Sequence, residues 1–227
     1  MTANQKNGRL AGFFYLLVII FGAFAEVGVR GSLIVPGDAA ATASKIMAAQ
    51  PLFRVGFVSD LLMMTFYLLL AYTLYIWFKP ADQPVSLLFV LLTVASVAVM
   101  SLNMLNQFAA LLLLNGDTYL NVFSPAQLQA LALFFINLHK YGYSTAQIFF
   151  GLWLLPLGYA GLKSGYLPRL LSILVIAACF GHLIQFFQVF LLPGYEAITY
   201  PGLAIATVGE FSLCLWLLIK GARFMPA

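Results

Sequence analysis

The feature that most constrains this chain is a series of apolar runs that are long enough to cross a membrane as helices. A transmembrane helix needs about 20 mostly apolar residues to span ~30 Å of hydrocarbon. Hydrophobic residues make up 63% of the 227 residues and charged residues only 8%, so the chain cannot build a water-soluble surface. The sequence therefore predicts an all-α, polytopic helix bundle formed as a single domain over residues 1–227, with the lipid bilayer as its partner and six spans at residues 10–29, 52–78, 85–114, 125–161, 167–192 and 201–218.

The start of the chain has two interpretations. Lys6 and Arg9 precede an apolar run from Leu10, and Ala23-Phe24-Ala25 resembles a cleavage site, as in a secretory signal peptide. We interpret the segment instead as a retained first span.

The basic residues predict the orientation of the spans, because cytoplasmic loops carry an excess of lysine and arginine. With a cytoplasmic N-terminus, the inner ends of the spans hold only one acidic residue, Asp82, and seven of the eleven basic residues: Lys6, Arg9, Lys79, Lys163, Arg169, Lys220 and Arg223. Both termini are therefore expected in the cytoplasm. These loops account for the net charge of +4, so we expect no nucleic-acid partner.

Local signals predict where several helices begin. Pro36-Gly37-Asp38 is typical of a turn followed by an N-cap, and Ala39–Ala49 then forms a short helix on the membrane surface. Ser124, followed by Pro125 and Gln127, is typical of a capping box. Because residues 125–161 are too short for two spans, we predict one long helix, with a possible kink at Pro156.

Four segments of the sequence resemble the bacterial domain-of-unknown-function family 4386. They are NLHKYGY at residues 137–143, FFGLWLLPLG at 149–158, SGYLPR at 164–169 and RLAGF at 9–13. The second is distinctive, because an apolar run alone would not set Gly, Trp and Pro in that order. The resemblance covers essentially the whole chain and implies a six-span bacterial membrane protein, which with the loop charges indicates the inner (plasma) membrane. It implies no activity.

Polar residues inside the spans are the candidates for function, since they are costly in lipid and usually face the bundle interior. They lie at middle or outer depth, whereas the inner half is almost purely apolar. Asn103, Asn106 and Gln107 share one face of the third span, and His182, Gln185 and Gln188 form a stripe on the fifth. This pattern predicts an outward-facing polar pocket for a small or lipid-like ligand, lined by Asp60, Asn103, Asn106, His139, Gln147, His182, Gln185 and Glu210.

Individual charged residues lead to narrower hypotheses. Glu210, near mid-membrane with no basic neighbour on its own helix, must be protonated or meet a cation from another helix. Glu26 and Arg30 are four residues apart and can pair within one helix. Asp60 could pair with Arg54 or Lys140.

Three classes of function remain open at this point. The first is ligand binding in the polar pocket, for sensing, transfer or transport. The second is an intramembrane hydrolase acting on lipid, with Glu210 or Asp60 as general base and the two histidines as zinc ligands or acid–base partners. The histidines could also hold a b-type haem, but without a short-range metal motif we expect hydrogen-bonded histidines and no metal or cofactor. The third is an accessory subunit whose polar residues only join helices; the oligomeric state stays open.

Overall fold

The computed structural model of the chain describes residues 3–221, with side chains from Gln5 onward. No strand occurs within this range. Six of the helices described are long and apolar enough to cross a membrane: Gln5–Leu33, Gln50–Phe78, Gln83–Asn115, Pro125–Ser164, Arg169–Leu191 and Glu196–Ile219. The all-α prediction and its six spans are confirmed, and the chain is a multi-pass membrane protein. Arg223, one of the predicted inner basic residues, lies outside the described range.

The helices differ from the predicted spans mainly at their ends. The first span continues beyond the predicted residue 29 through a π-helical segment, Phe24–Arg30. In chain order the α-helices are α1 (Ala3–Ala23), α2 (Gly31–Leu33), α3 (Ala39–Ala48), α4 (Gln50–Phe78), α5 (Gln83–Asn115), α6 (Pro125–Leu152), α7 (Leu154–Ser164), α8 (Arg169–Leu191) and α9 (Tyr200–Ile219).

The chain forms two compact units. Unit 1 comprises the described residues up to Leu17, Thr65–Ala98 and the described residues from Ser144 onward; unit 2 comprises Val18–Met64 and Val99–Tyr143. The single-domain organisation stays a prediction.

Local capping begins two helices of unit 2 as the sequence indicated. The Asp38 side chain accepts a hydrogen bond from Ala41 N at 2.8 Å and caps α3. At the start of α6, Ser124 N donates to Gln127 Oε1 at 2.8 Å, and Gln127 N donates back to Ser124 Oγ at 3.3 Å. These bonds satisfy backbone groups that the first turn of a helix leaves free. An apolar cluster that includes Val29, Leu33, Ile46, Phe53 and Leu111 forms the core of this unit.

Close helix approach dominates the packing of unit 1, where α8 contacts both α7 and α9. A Cβ atom on Gly158 would lie 2.8 Å from Ser172 O, and one on Gly181 would collide with Gly202 O. Glycine is required at these crossings because the backbones themselves meet, as is common where lipid gives helices no hydrophobic reason to associate. The helix break at Trp153 is three residues before Pro156, whose missing N–H cannot bond the Leu152 carbonyl.

Candidate functional site

The eight residues predicted to line one pocket fall into two groups of four. Unit 2 holds Asp60, Asn103, Asn106 and His139, and unit 1 holds Gln147, His182, Gln185 and Glu210. Each group includes residues that contact one another directly. Both groups also involve residues that the sequence reasoning left outside the predicted pocket.

Two side chains of unit 1 meet at the Glu210 carboxylate. Tyr15 OH donates to Glu210 Oε2 at 2.7 Å, and His182 Nε2 lies 2.7 Å from Glu210 Oε1. The Trp153 ring packs edge-on against the Tyr15 ring, with 6.2 Å between the ring centroids. We name Tyr15, His182 and Glu210 the unit 1 cluster.

The unit 1 cluster lies near the middle of the spans that supply it. Tyr15 is ten residues after Gln5, His182 is thirteen after Arg169 and Glu210 is nine before Ile219. At ~1.5 Å of rise per residue, each side chain starts ~13 to 20 Å from the end of its span. In spans long enough to cross a ~30 Å hydrocarbon core, these distances correspond to middle depth.

Hydrogen bonding indicates the tautomer of His182. In the neutral ring, the Nε2–H that faces Glu210 is the donor, so Nδ1 carries a lone pair. This Nδ1 is buried and has no hydrogen-bond partner among the described residues. The cluster therefore contains a carboxylate and an imidazole nitrogen that can both accept hydrogen bonds.

Gln147 and Gln185 add buried acceptors to unit 1. The side-chain Oε1 of each has no hydrogen-bond partner in the described part of the chain. Gln188, which continues the predicted stripe on α8, instead donates from Nε2 to Leu192 O at 3.2 Å and so closes the end of its own helix.

Asp60 in unit 2 is paired with Arg30, which corrects the hypothesis of Arg54 or Lys140 as its partner. Arg30 NH1 and NH2 both donate to the Asp60 carboxylate, the second at 3.3 Å. The first span was predicted to end at residue 29, before Arg30. Because the π-helical segment Phe24–Arg30 continues the helix, Arg30 is a buried helix residue and not a loop residue.

Arg30 has two further partners, which complete a buried ion cluster. Its Nε donates to Glu26 Oε2 at 2.7 Å, as the four-residue spacing predicted, and its NH1 donates to Gln107 Oε1 at 3.0 Å. Side-chain exposure is 8% for Arg30 and 1% for Asp60, but 65% for Glu26. We name Glu26, Arg30, Asp60 and Gln107 the unit 2 cluster; its inner pair is matched in charge and closed to solvent.

One of the predicted amides of α5, Asn103, contacts His139 on α6. Asn103 Nδ2 donates to His139 O at 2.8 Å and lies 3.2 Å from His139 Nδ1. Asn106 Nδ2 donates to Asn103 Oδ1 at 3.0 Å. Three of the four predicted unit 2 residues thus form one hydrogen-bonded chain.

A zinc site needs several ligands in one place. Within the described residues, no three His, Cys, Asp or Glu side chains come together. The zinc-hydrolase hypothesis therefore gains no ligand set from this part of the chain, and the haem and accessory-subunit hypotheses stay open.

Sequence reasoning missed Tyr15 and left Arg30 and Gln107 outside the predicted site. Tyr15 is one of eleven tyrosines, and nothing in its neighbourhood distinguishes it from an apolar span residue. Arg30 carried a signal, because the 21-residue stretch from Leu10 to Arg30 is long enough to keep an arginine within the helix.

Comparison with known protein families identifies the family of the chain. The family model described as "Domain of unknown function (DUF4386)" matches residues 10–221. This confirms the resemblance drawn from the four sequence segments. No curated protein and no solved structure matches the chain.

Proposed function

Since the chain belongs to the DUF4386 family, whose description gives no activity, we propose a function from the site alone: the protein binds a small cationic ligand at the unit 1 cluster. An alkylammonium group, the charged end of a small or lipid-like amine, fits this chemistry. Binding would serve sensing, transfer or transport.

Partial exposure of Glu210 is the observation that carries the proposal. Its side chain is 25% exposed and that of His182 is 15% exposed. Among the described residues, the only ion-pair partner of Glu210 is a histidine, not an arginine or lysine. A charged group facing lipid at mid-span costs about 3 kcal/mol on insertion scales. The open side of the carboxylate therefore requires a polar or cationic neighbour.

The contrast with unit 2 supports this reasoning. Asp60 is also a carboxylate in a span, but it is closed to solvent and held by an arginine. Such a pair leaves no free acceptor for a ligand. In the unit 1 cluster, the exposed side of the Glu210 carboxylate can still accept hydrogen bonds from a ligand. The cluster offers acceptors and no unsatisfied cation, so it selects a donor with positive charge.

We also propose the topology that the loop charges predicted, with both termini in the cytoplasm of a bacterium and α3 on the outer membrane surface. Arg9 NH2 donates to Ile219 O at 2.9 Å, so the two ends of the helical region meet. Lys163 Nζ bonds Asp82 Oδ2 at 2.7 Å at another predicted inner end. In this orientation Gln185 and Gln188 lie on the outer side of His182, which favours access to the cluster from outside.

Butylammonium is a suitable probe, and uncharged butanol is its matched control. In detergent-solubilised protein, we expect butylammonium to raise the melting temperature of the wild type more than butanol does. Glu210→Gln should remove this difference, while Glu196→Gln, which changes an exposed carboxylate at the start of the last span in the same unit, should retain it. A Glu210→Gln variant that melts lower but keeps the full butylammonium effect would make Glu210 structural and contradict the proposal.

A further inference from the structure

Two buried nitrogen atoms in unit 2 lack hydrogen-bond partners within the described residues: Gln107 Nε2 and His139 Nε2. The two residues are only 2% and 3% exposed. Buried polar atoms of native proteins nearly always have partners, including bound water, so each such atom indicates something that the protein chain alone does not supply.

The hydrogen-bond network shows that the Gln107 atom is a donor. Arg30 NH1 donates to the other side-chain atom of Gln107, which must therefore be the oxygen. Since arginine cannot accept a hydrogen bond, the amide cannot be flipped. The unpartnered group is thus the Gln107 NH₂.

The same reasoning assigns the His139 ring. The Asn103 atom that lies 2.8 Å from the His139 backbone oxygen must be the nitrogen, because a carbonyl oxygen only accepts hydrogen bonds. That nitrogen lies 3.2 Å from His139 Nδ1, and we assign Nδ1 as the acceptor of its hydrogen bond because this contact is the shorter of the two that Nδ1 makes. The competing arrangement, in which Nδ1–H donates to Asn103 O, is longer at 3.4 Å. A neutral ring with an acceptor at Nδ1 carries its proton on Nε2.

The two donors belong to one neighbourhood of unit 2. Asn103, which contacts His139, and Gln107 are four residues apart on α5 and share one face of that helix. Gln107 accepts a hydrogen bond from Arg30 and Asn103 contacts the His139 ring, so one face of α5 connects the two donors.

We infer that unit 2 contains a second site, which holds a neutral molecule through an oxygen atom that accepts hydrogen bonds from Gln107 Nε2 and His139 Nε2. Charge argues against an anion, because Glu26 and Asp60 already place two carboxylates around the single guanidinium of Arg30. The acceptor is the carbonyl oxygen of a neutral membrane-soluble compound or a water oxygen. The inference concerns unit 2 alone and does not rest on the proposed function of the unit 1 cluster.

Nitrogen-15 NMR of histidine-labelled protein tests the donor directly, because His139 and His182 are the only two histidines. His139→Asn assigns the signals by removing one. We expect His139 in the Nε2–H form, with a proton shift typical of a hydrogen bond. A proton on Nδ1, or an Nε2–H without a hydrogen bond, would overturn the site.

Native mass spectrometry from mild detergent separates the two sources of oxygen. A carbonyl compound predicts a retained neutral organic mass, whose bound fraction falls about tenfold in His139→Asn, which keeps an acceptor near Nδ1 but lacks the Nε2 donor. His139→Gln, which places an amide donor near Nε2, should retain it. A bare mass together with an NMR cross-peak from Nε2–H to water identifies water instead. A bare mass without that cross-peak would refute the inference.

Discussion

Asp60→Asn is expected to be among the most damaging single changes in the chain, although it alters only one atom. Asp60 is fully buried, and its carboxylate accepts hydrogen bonds from both terminal nitrogens of Arg30. Removing one partner of a buried ion pair costs about 3–5 kcal/mol because the other charge stays behind uncompensated. Arg30 would retain Glu26 and Gln107, so we expect a loss near the lower limit, about 3 kcal/mol.

The matched control is Glu26→Gln, which removes the other carboxylate of Arg30. The Glu26 side chain is 65% exposed, and exposed pairs contribute about 0.2–1 kcal/mol. Reversible unfolding of both variants in mixed micelles, followed by circular dichroism, measures the two free energies of unfolding. If Asp60→Asn costs no more than Glu26→Gln, the claim that the Arg30–Asp60 pair is the buried centre of unit 2 is wrong.

Two further predictions change residues of unit 1, and the control for the first, Gly22, belongs to unit 2. Gly181→Ala should lower the free energy of unfolding by about 1–3 kcal/mol, because the new methyl group collides with Gly202 O, whereas Gly22→Ala in α1, where a Cβ has room, should be close to neutral in the same unfolding assay. The hydrogen bond from Lys163 holds the pKa of Asp82 below its usual value of 3.8. The pair therefore stabilises the folded state fully above pH 3.8, and this stabilisation is lost as the pH falls through the lowered pKa. Asp82→Asn should therefore melt below the wild type at neutral pH, with a gap that closes in acid; an equal gap at every pH would contradict this.

The helices could be predicted because their signals are local. Hydrophobic length sets the spans, and the bonds between Ser124 and Gln127 use atoms only three residues apart. The same holds for the pair of Glu26 and Arg30 within one helix. In each case backbone geometry alone decides the contact.

The partners of the buried acids could not be predicted in the same way. Tyr15 and Glu210 are 195 residues apart in sequence, and their contact depends on how α1 and α9 pack. The sequence alone offers Arg54 or Lys140 as partners of Asp60. The observed partner is Arg30, which lies at the end of a π-helical segment. The direction of the Arg30 side chain depends on this π-helical turn, and the residues of the segment do not predict it.

The sequence also does not predict how the polar residues are divided between the two units. Depth along a span carries no lateral information, so the sequence does not show which of Asn103, His139, His182 and Glu210 bond one another. The hydrogen bonds within unit 1 and within unit 2 give two clusters with different chemistry, one an open acceptor and one a closed ion pair. This difference is the basis of the functional proposal.

Infrared difference spectroscopy on addition of butylammonium tests the central claim most directly, because it observes the carboxylate that is proposed to bind the ligand. The account predicts a shift of a carboxylate stretching band in the wild type and in Glu196→Gln, and no such shift in Glu210→Gln. A spectrum that does not change on addition, or a shift that persists in Glu210→Gln, would show that Glu210 does not contact the ligand and would contradict the account.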